Sequence, residues 1–398
     1  WLQPQEPPRQ LGRDAAFDRD MLADTPGVIE FRSGRSAIEP LPPGVWRRIW
    51  GDVGREAPPG DYGPALGDPD LRAAIADHLG RSRGVVCDPS SIVVTTGAVQ
   101  GIDLVARATL TAGDTVGFEE PGAISARNIL EARGAGILRI PVDEDGLRVD
   151  DLPRGPDAPR LVYVTPAHQY PLGVRLSADR RTALLKWAQA QDSLVLEDDY
   201  DSEFRFGAPP LPALASLDTG GHVAYLGTFS KVLTPALRVG YLVAPPALLD
   251  RLERLKRMTD YHTPWPVQRA LAGFLLGGHL ERHIRRMRRH YASKRLALLD
   301  ALSGLDGYAH AFGLEAGLHF CIELAPGLDA SAVSRALRAR GVIVTPLADC
   351  YDGPVTRQGL ILGYGGLTPD EIVRGGRILV ETIREHAESI WMRSGARR

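Results

Sequence analysis

The chain of 398 residues has little cysteine: Cys87, Cys321 and Cys350 stand far apart and form no C-x-x-C pair. That excludes a disulfide framework and a thiolate zinc site, and it suits a reducing, cytoplasmic setting. Long apolar runs are missing too. None approaches the roughly 20 residues that span a bilayer, and no charged segment followed by an apolar one opens the chain, so neither membrane insertion nor secretion is expected. Charge of one sign is also lacking. The 47 basic and 49 acidic side chains leave a formal net charge of -2, so no global field draws the molecule to nucleic acid or a membrane. There is no internal repeat and no convincing helix-turn-helix. "WLQPQEPPRQLGRD" is Pro-, Gln- and Arg-rich without apolar periodicity, so residues 1–25 read as linker, and a longer parent protein is the expectation.

What is present is a core. With 44% hydrophobic and 24% charged residues, the chain can bury one large and one smaller domain. "DPDLRAAIADHLGRSRG" places Leu71, Ile75 and Leu79 at a spacing of four, which predicts an amphipathic helix ending near Gly80. "SIVVTTG", "DTVGFEEPG", "GILRIPVD", "RLVYVTP", "SLVLEDDY" and "HVAYLGTFSK" read as strands between helical segments such as "AVQGIDLVARATL", "AISARNILEARG" and "RRTALLKWAQAQ". The alternation predicts a mostly parallel sheet covered by helices on both faces, with the site at the carboxyl ends of its strands. A long helical stretch broken near Pro264, Pro266, Gly277 and Gly278 leads to an α+β C-terminal part. The expected division is an N-terminal arm at 26–60 serving the small domain, a large domain at 61–275 and a small domain at 276–398.

Polar residues gather where those strands should end. "TTGAVQG" opens a helix after a glycine, so the N–H groups around Gly97, Ala98 and Val99 are candidates for an anion site, or only a tight turn. "LVLEDDYDSEF" gathers Glu197, Asp198, Asp199 and Asp201 around Tyr200. Three readings stand: a solvated turn, a divalent-metal site, or a carboxylate facing a protonated ring nitrogen. Lys231, in "GTFSKVLTPALRVG", follows an apolar strand, where partial burial would lower its pKa and make its amine a nucleophile toward an aldehyde. The alternative is a snorkelling surface lysine. With Arg238 nearby as a phosphate partner, the parts needed to hold pyridoxal phosphate are all in the chain.

These segments, together with "DYGPALGDPDLRAAIADHLGRSRGV", "EEPG", "TPAHQYPLG", "GHLERHIRRMRRHY" and "AGLH", resemble the fold-type I pyridoxal-phosphate aminotransferase superfamily. More narrowly, they resemble the aminotransferase-like domain of MocR/GabR-type transcriptional regulators, over residues 60 to 320 or so. The resemblance implies a large domain with a mostly parallel sheet flanked by helices plus a smaller α+β C-terminal domain. It implies that Lys231 forms a Schiff base with the cofactor, that Asp198 or the competing Asp199 pairs with the ring nitrogen, and that Tyr200 reaches the ring's phenolic oxygen. Gly97, Ala98, Val99, Thr228, Ser230 and Arg238 would cup the phosphate. Tyr62 would reach the phosphate of a neighbouring subunit, which requires a homodimer. Tyr170 stands where ordinary aminotransferases carry an asparagine, and His168, Gln169 and Tyr170 mark the regulator branch. No metal is expected.

Two departures bear on function. Ala123 stands where many relatives stack an aromatic on the ring, and Ile361 where an arginine forks the substrate carboxylate; Arg357 is a possible substitute or an exposed turn residue. One expectation is therefore a domain that senses an amine or amino acid, with DNA bound only through a winged helix-turn-helix domain not present in this chain. The other is a stand-alone pyridoxal-phosphate aminotransferase. "RHIRRMRRHYASKR", the one basic run, is expected to be a solvated helix face.

Overall fold

The structure, a computed structural model, describes residues 27–38, 41–207, 209 and 211–394. The linker-like segment 1–25 lies outside them. In chain order the elements are β1 (Ile29–Glu30), α1 (Pro43–Arg55), α2 (Pro69–Arg83), β2 (Ile92–Thr95), α3 (Ala98–Thr109), β3 (Thr115–Glu120), α4 (Ile124–Glu131), β4 (Gly136–Asp143), β5 (Gly146–Leu147) and β6 (Leu161–Val164). There follow α5 (Ala178–Gln191), β7 (Leu194–Asp199), α6 (Leu214–Leu217), β8 (Val223–Thr228), β9 (Gly240–Val243), α7 (Pro246–Thr259), α8 (Trp265–Leu276) and α9 (His279–Ala301). The chain closes with β10 (Ala309–Phe312), β11 (His319–Leu324), α10 (Ala330–Ala339), β12 (Val342–Ile343), β13 (Thr345–Pro346), β14 (Gly359–Gly363) and α11 (Pro369–Ser394).

Eight strands form the large sheet in the order β2-β9-β8-β7-β6-β3-β4-β5. The pairs β4/β3, β3/β6, β6/β7 and β7/β8 are parallel, while β9 runs against both β8 and β2, and β5 folds back on β4. Both faces are covered, and strand alternation decides what each side chain meets. On β7, Leu196 packs among Ile102, Leu104 and Val105 of α3, whereas Val195 packs among Leu184, Trp187 and Ala188 of α5. Asp198 thus inherits the face of Leu196, and Glu197 and Asp199 that of Val195.

Helix α2 begins where Asp68 accepts a hydrogen bond from Leu71 N at 3.0 Å, with Pro69 at its first position. It does not end at Gly80, as its apolar spacing suggested. Gly80 is carried inside the helix, and the stop comes at Gly84, whose φ of 70° is the left-handed turn that glycine adopts at low cost.

The second sheet is antiparallel, ordered β10-β11-β14-β13, and β1 pairs in parallel with β12 beside it. Its core gathers Phe31, Met287, Tyr291, Phe320, Leu360 and Leu362. Helix α9 serves both cores: Leu280 and Ile284 pack with α2 and α8, while Met287, Tyr291 and Leu298 pack against the second sheet. Each such apolar side chain contributes about 1.5–3 kcal/mol when fully buried, enough to make α9 a firm strut between the two.

Candidate functional site

Lys231 sits three residues beyond the end of β8, partly buried, with Nζ donating to the Gly34 carbonyl at 2.9 Å. The stretch "FRSGRSA" is drawn across it. Ser36 Oγ donates to the carbonyls of Ser230 (3.0 Å) and Lys231 (2.9 Å), and Tyr291 OH accepts from Ala37 N at 2.9 Å. Gly34 has a φ of +75°, and a Cβ there would stand 2.6 Å from Nζ, so only glycine lets the arm pass this close. Burial lowers the Lys231 pKa, and the charges of Asp201 and then Asp198 partly offset it. The amine is thereby moved toward its neutral, nucleophilic form.

The four acids of "LVLEDDYDSEF" do not form a cluster in space. Glu197 accepts from the N–H groups of Leu214 and Ala215 at 3.0 and 2.9 Å, at the start of α6. Asp199 Oδ2 is tied to Arg83 at 2.6 Å and to Tyr225 OH at 2.6 Å, on the face away from α3, while its Oδ1 is buried without a hydrogen-bond partner. Asp198 alone faces the other way: Oδ2 accepts from Tyr163 OH at 2.6 Å, while Oδ1 is buried without a hydrogen-bond partner. Burial pushes the Asp198 carboxyl up to about 7, with Tyr163 and Lys231 opposing the shift. An orphaned carboxylate oxygen near a lysine is a receptor for a cationic N–H. Asp198 and Asp199 thus face opposite sides of the sheet, and Asp199 is engaged by Arg83 and Tyr225.

Gly97 caps α3 with a φ of +120°, and a Cβ added to it would lie 2.9 Å from Arg238 Nη2. The first N–H groups of α3, from Ala98 and Val99, thus open beside an exposed guanidinium, the arrangement that suits a phosphate. Arg238 itself adopts φ 51°, unusual for a side chain with a Cβ. Thr228 and Ser230 are buried next to this cup, and Thr228 Oγ1 accepts from Ser230 N at 3.2 Å.

Beside Lys231 lies a polar group that sequence reading left unresolved. His168 Nδ1 stands 3.1 and 3.2 Å from the two oxygens of Asp201, and Tyr200 OH is 3.1 Å from the same nitrogen while donating to the His168 carbonyl at 2.8 Å. The His319 ring lies tilted against that of His168, their centroids 4.8 Å apart, and burial brings the His319 pKa down to about 3. Atoms of His168, Asp201 and His319 lie within 4.8 Å of one another, a spacing a metal could use, but the Asp201 carboxylate already grips His168 Nδ1. Tyr170 OH is 3.0 Å from Ser33 Oγ. Gln169 donates to the Pro121 carbonyl at 2.9 Å, so it braces the loop rather than facing the site.

Other residues are placed elsewhere. Tyr62 is two-thirds exposed, and its ring contacts are with Tyr261, stacked at 4.3 Å, and His262. Ile361 is buried among Leu172, Cys321 and Cys350. Arg357 is not an exposed turn arginine: it forks Glu323 at 2.6 and 3.2 Å and lies 4.3 Å over the Phe312 ring. Ala123 caps α4 without contributing a side-chain bond. Sequence reading missed Gly34, Ser33, Ser36 and Tyr163. Only Tyr163 left a signal, as a phenol inside the buried strand "LVYV", where its hydroxyl needs a partner.

Known proteins carry the same plan. The family model for aminotransferase class I and II matches residues 55–355. The probable rhizopine catabolism regulatory protein MocR of Rhizobium meliloti is 36% identical over 366 residues, covering 91% of this chain and 73% of that protein. The pyridoxine biosynthesis transcriptional regulator PdxR of Corynebacterium glutamicum is 36% identical over 347 residues, covering 87% and 74%. Among solved structures, the multiple substrate aminotransferase of Thermococcus profundus superposes with a TM-score of 0.85 at 29% identity, over 95% of this chain and 96% of that one. LysN, the α-aminoadipate aminotransferase of Thermus thermophilus, solved with N-(5'-phosphopyridoxyl)-L-leucine, gives 0.82 at 30% identity, over 92% and 94%. With a fold-type I architecture and a family match over most of its length, this chain belongs to the class I and II aminotransferase family.

Proposed function

We propose that this domain holds pyridoxal phosphate and uses it to capture an amine or amino acid as the effector-binding part of a MocR/GabR-type transcriptional regulator. The observation that carries the reading is the buried Asp198 Oδ1, left without a partner within electrostatic reach of Lys231, whose own amine meets, among the described residues, only a backbone carbonyl. The residues present fit the cofactor: a glycine-capped helix start and Arg238 for its phosphate, an orphaned carboxylate for its ring nitrogen, and a lysine of lowered pKa for its aldehyde. When bound, pyridoxal phosphate supplies an aldehyde that captures amines and a cationic ring that draws electrons from the bond next to nitrogen.

The chain's own groups do the rest. Asp198 holds the ring proton, with Tyr163 fixing its other oxygen, and Tyr200 presents its phenol from a position set by His168. Lys231, once neutral, takes or returns a proton at the ligand's α-carbon. The arm 31–37 shields the lysine from water. Tyr62 and Tyr261, exposed and stacked, suit a partner subunit's site, so a homodimer is part of the proposal. DNA contact is assigned to a separate domain, as the regulator relatives suggest.

The sensor is favoured over an efficient transaminase because the usual carboxylate fork has no counterpart: Ile361 is apolar and packed, and Arg357 is held by Glu323. The test is borohydride reduction of the cofactor-loaded protein followed by peptide mass mapping. The label is expected on Lys231, and a label on another lysine overturns the assignment. Amino acids and polyamines are then screened by absorbance and by keto-acid release. A spectral shift without keto acid supports the sensor, and steady keto-acid production favours the enzyme.

A further inference from the structure

The basic run of α9 is not an evenly solvated face. Arg288, Ala292 and Arg295 are spaced by four and three and share one side of the helix, with Arg289 flanking them. Across from that side lies the loop after β7. Arg205 forms an isolated backbone bridge with Ala316 there, and Arg288 Nε donates to the Glu203 carbonyl at 2.5 Å. Together Arg205, Arg288, Arg289 and Arg295, with Phe206 and Leu296, line a pocket of about 560 Å³. That size suits a small molecule.

Among the described residues no carboxylate is in contact with the charges of this pocket. Among the described residues none of the four guanidiniums lies in an ion pair, and Arg295 Nε is buried without a hydrogen-bond partner. Arg205 has its pKa lowered by burial and by the neighbouring charges of Arg83 and Arg288. The acids close by answer the charge only in part, Glu203 and Asp199 acting on Arg205 from a distance. Asp199 is committed to Arg83, and burial together with Asp199 pushes the Glu203 carboxyl upward, toward its neutral form. Gathered like charges repel one another, and an anion among them relieves that repulsion. Guanidinium forks match phosphate oxygens in pairs, and the Phe206 ring, 5.4 Å under Arg295, adds an aromatic wall.

We infer that this pocket binds a small organic phosphate, its phosphate oxygens forked by Arg205, Arg288, Arg289 and Arg295 and its apolar body laid against Phe206. The site is separate from the lysine site and does not depend on how that site is read. It lies on α9, which packs into the core of the second sheet and into that of α2 and α8, so an occupant there bears on how the two parts of the molecule are held.

Isothermal titration of the cofactor-loaded protein with inorganic pyrophosphate and with ADP tests it. Both probes are expected to bind at one site per chain, weakened about tenfold or more by the exposed Arg289→Gln and by Arg295→Gln. Phe206→Ala is expected to weaken ADP and leave pyrophosphate unchanged, while circular dichroism and cofactor content report that each variant is folded. Absence of binding overturns the inference, as does binding indifferent to both arginine variants. Binding lost instead in Arg238→Gln places the anion in the cofactor's phosphate cup and overturns it too. So does binding confined to heparin or duplex DNA with the steep salt dependence of many released counterions, which marks a polyanion surface.

Discussion

Two lysines of this chain, Lys231 partly buried and Lys256 fully so, differ in everything that decides chemistry. Lys256, in α7, is fully buried; its Nζ lies 2.7 Å from both oxygens of Asp260 and 3.3 Å from Thr263 Oγ1. Lys231 donates to a single carbonyl, that of Gly34. Burial lowers both pKa values. At Lys256 a carboxylate in contact holds the charge in place, and the amine is a structural cation. At Lys231 the acids act only from a distance, and the neutral amine is within reach. What distinguishes a nucleophile from a strut is thus whether its charge has been claimed, not how deeply it is buried.

The largest expected effect breaks that comparison directly. Lys231→Ala should abolish the borohydride-fixed cofactor label altogether, read by intact mass. Lys256→Met should keep the label and lose about 2 kcal/mol of stability in urea unfolding, the order expected when the partly buried Asp260 and the buried Thr263 lose their hydrogen-bonded partner. If Lys256→Met also lost the label, the division between the two lysines would be wrong.

The next effect sets two adjacent acids against each other. Asp199→Asn strips the buried Arg83 of its charged partner and should cost about 3 kcal/mol in urea unfolding. Asp198→Asn leaves a neutral amide where Tyr163 can still donate, so the fold should hold while cofactor affinity and the visible band of the bound cofactor change. The reverse pattern would move the ring-nitrogen role to Asp199.

This pair shows how far the sequence could be read. The order of strands and helices, the lysine after β8, the glycine opening α3 and the candidacy of two adjacent acids at the end of β7 are all local patterns, so they were legible. Asp198 and Asp199 could not be ranked until Arg83, from α2, was seen to claim one of them. The arm residues Ser33, Gly34 and Ser36 carry no periodicity, and they matter because packing brings them to Lys231 from nearly two hundred residues away. Likewise His168 and Asp201 are recognisable as unusual residues, but their pairing belongs to the tertiary structure. The helix end at Gly84 rather than Gly80 was decided by which glycine takes the left-handed turn.

A pH-dependent effect follows from the unpaired Asp198 oxygen. Its carboxyl is pushed up to about 7, and that of Glu119 likewise to about 7, both chiefly by burial. In the cofactor-free protein the folded state therefore keeps protons that the unfolded chain releases near pH 4. Folded binds more protons than unfolded in that window, so stability should fall as pH rises from about 4 to about 7, by up to about 1.4 kcal/mol per unit for each group. Asp198→Asn should flatten the slope in urea titrations across that range, leaving the Glu119 share. An unchanged slope would mean that Asp198 is ionised throughout.

The smallest effect extends the same distinction to arginine. Arg238 is exposed over the cap of α3 with its guanidinium open to a phosphate, whereas Arg357 is forked onto Glu323 and stacked over Phe312. A claimed guanidinium is not free to bind a ligand carboxylate. Arg357→Gln should consequently cost about 1 kcal/mol, the value of a partly exposed ion pair with a ring contact, and leave the spectral response to amino acids within about twofold of the parent. A response lost in Arg357→Gln, with Glu323→Gln instead strengthening it, would show that the Glu323 pair is a latch that opens to admit the ligand, and the site would then possess the carboxylate fork whose place Ile361 has taken.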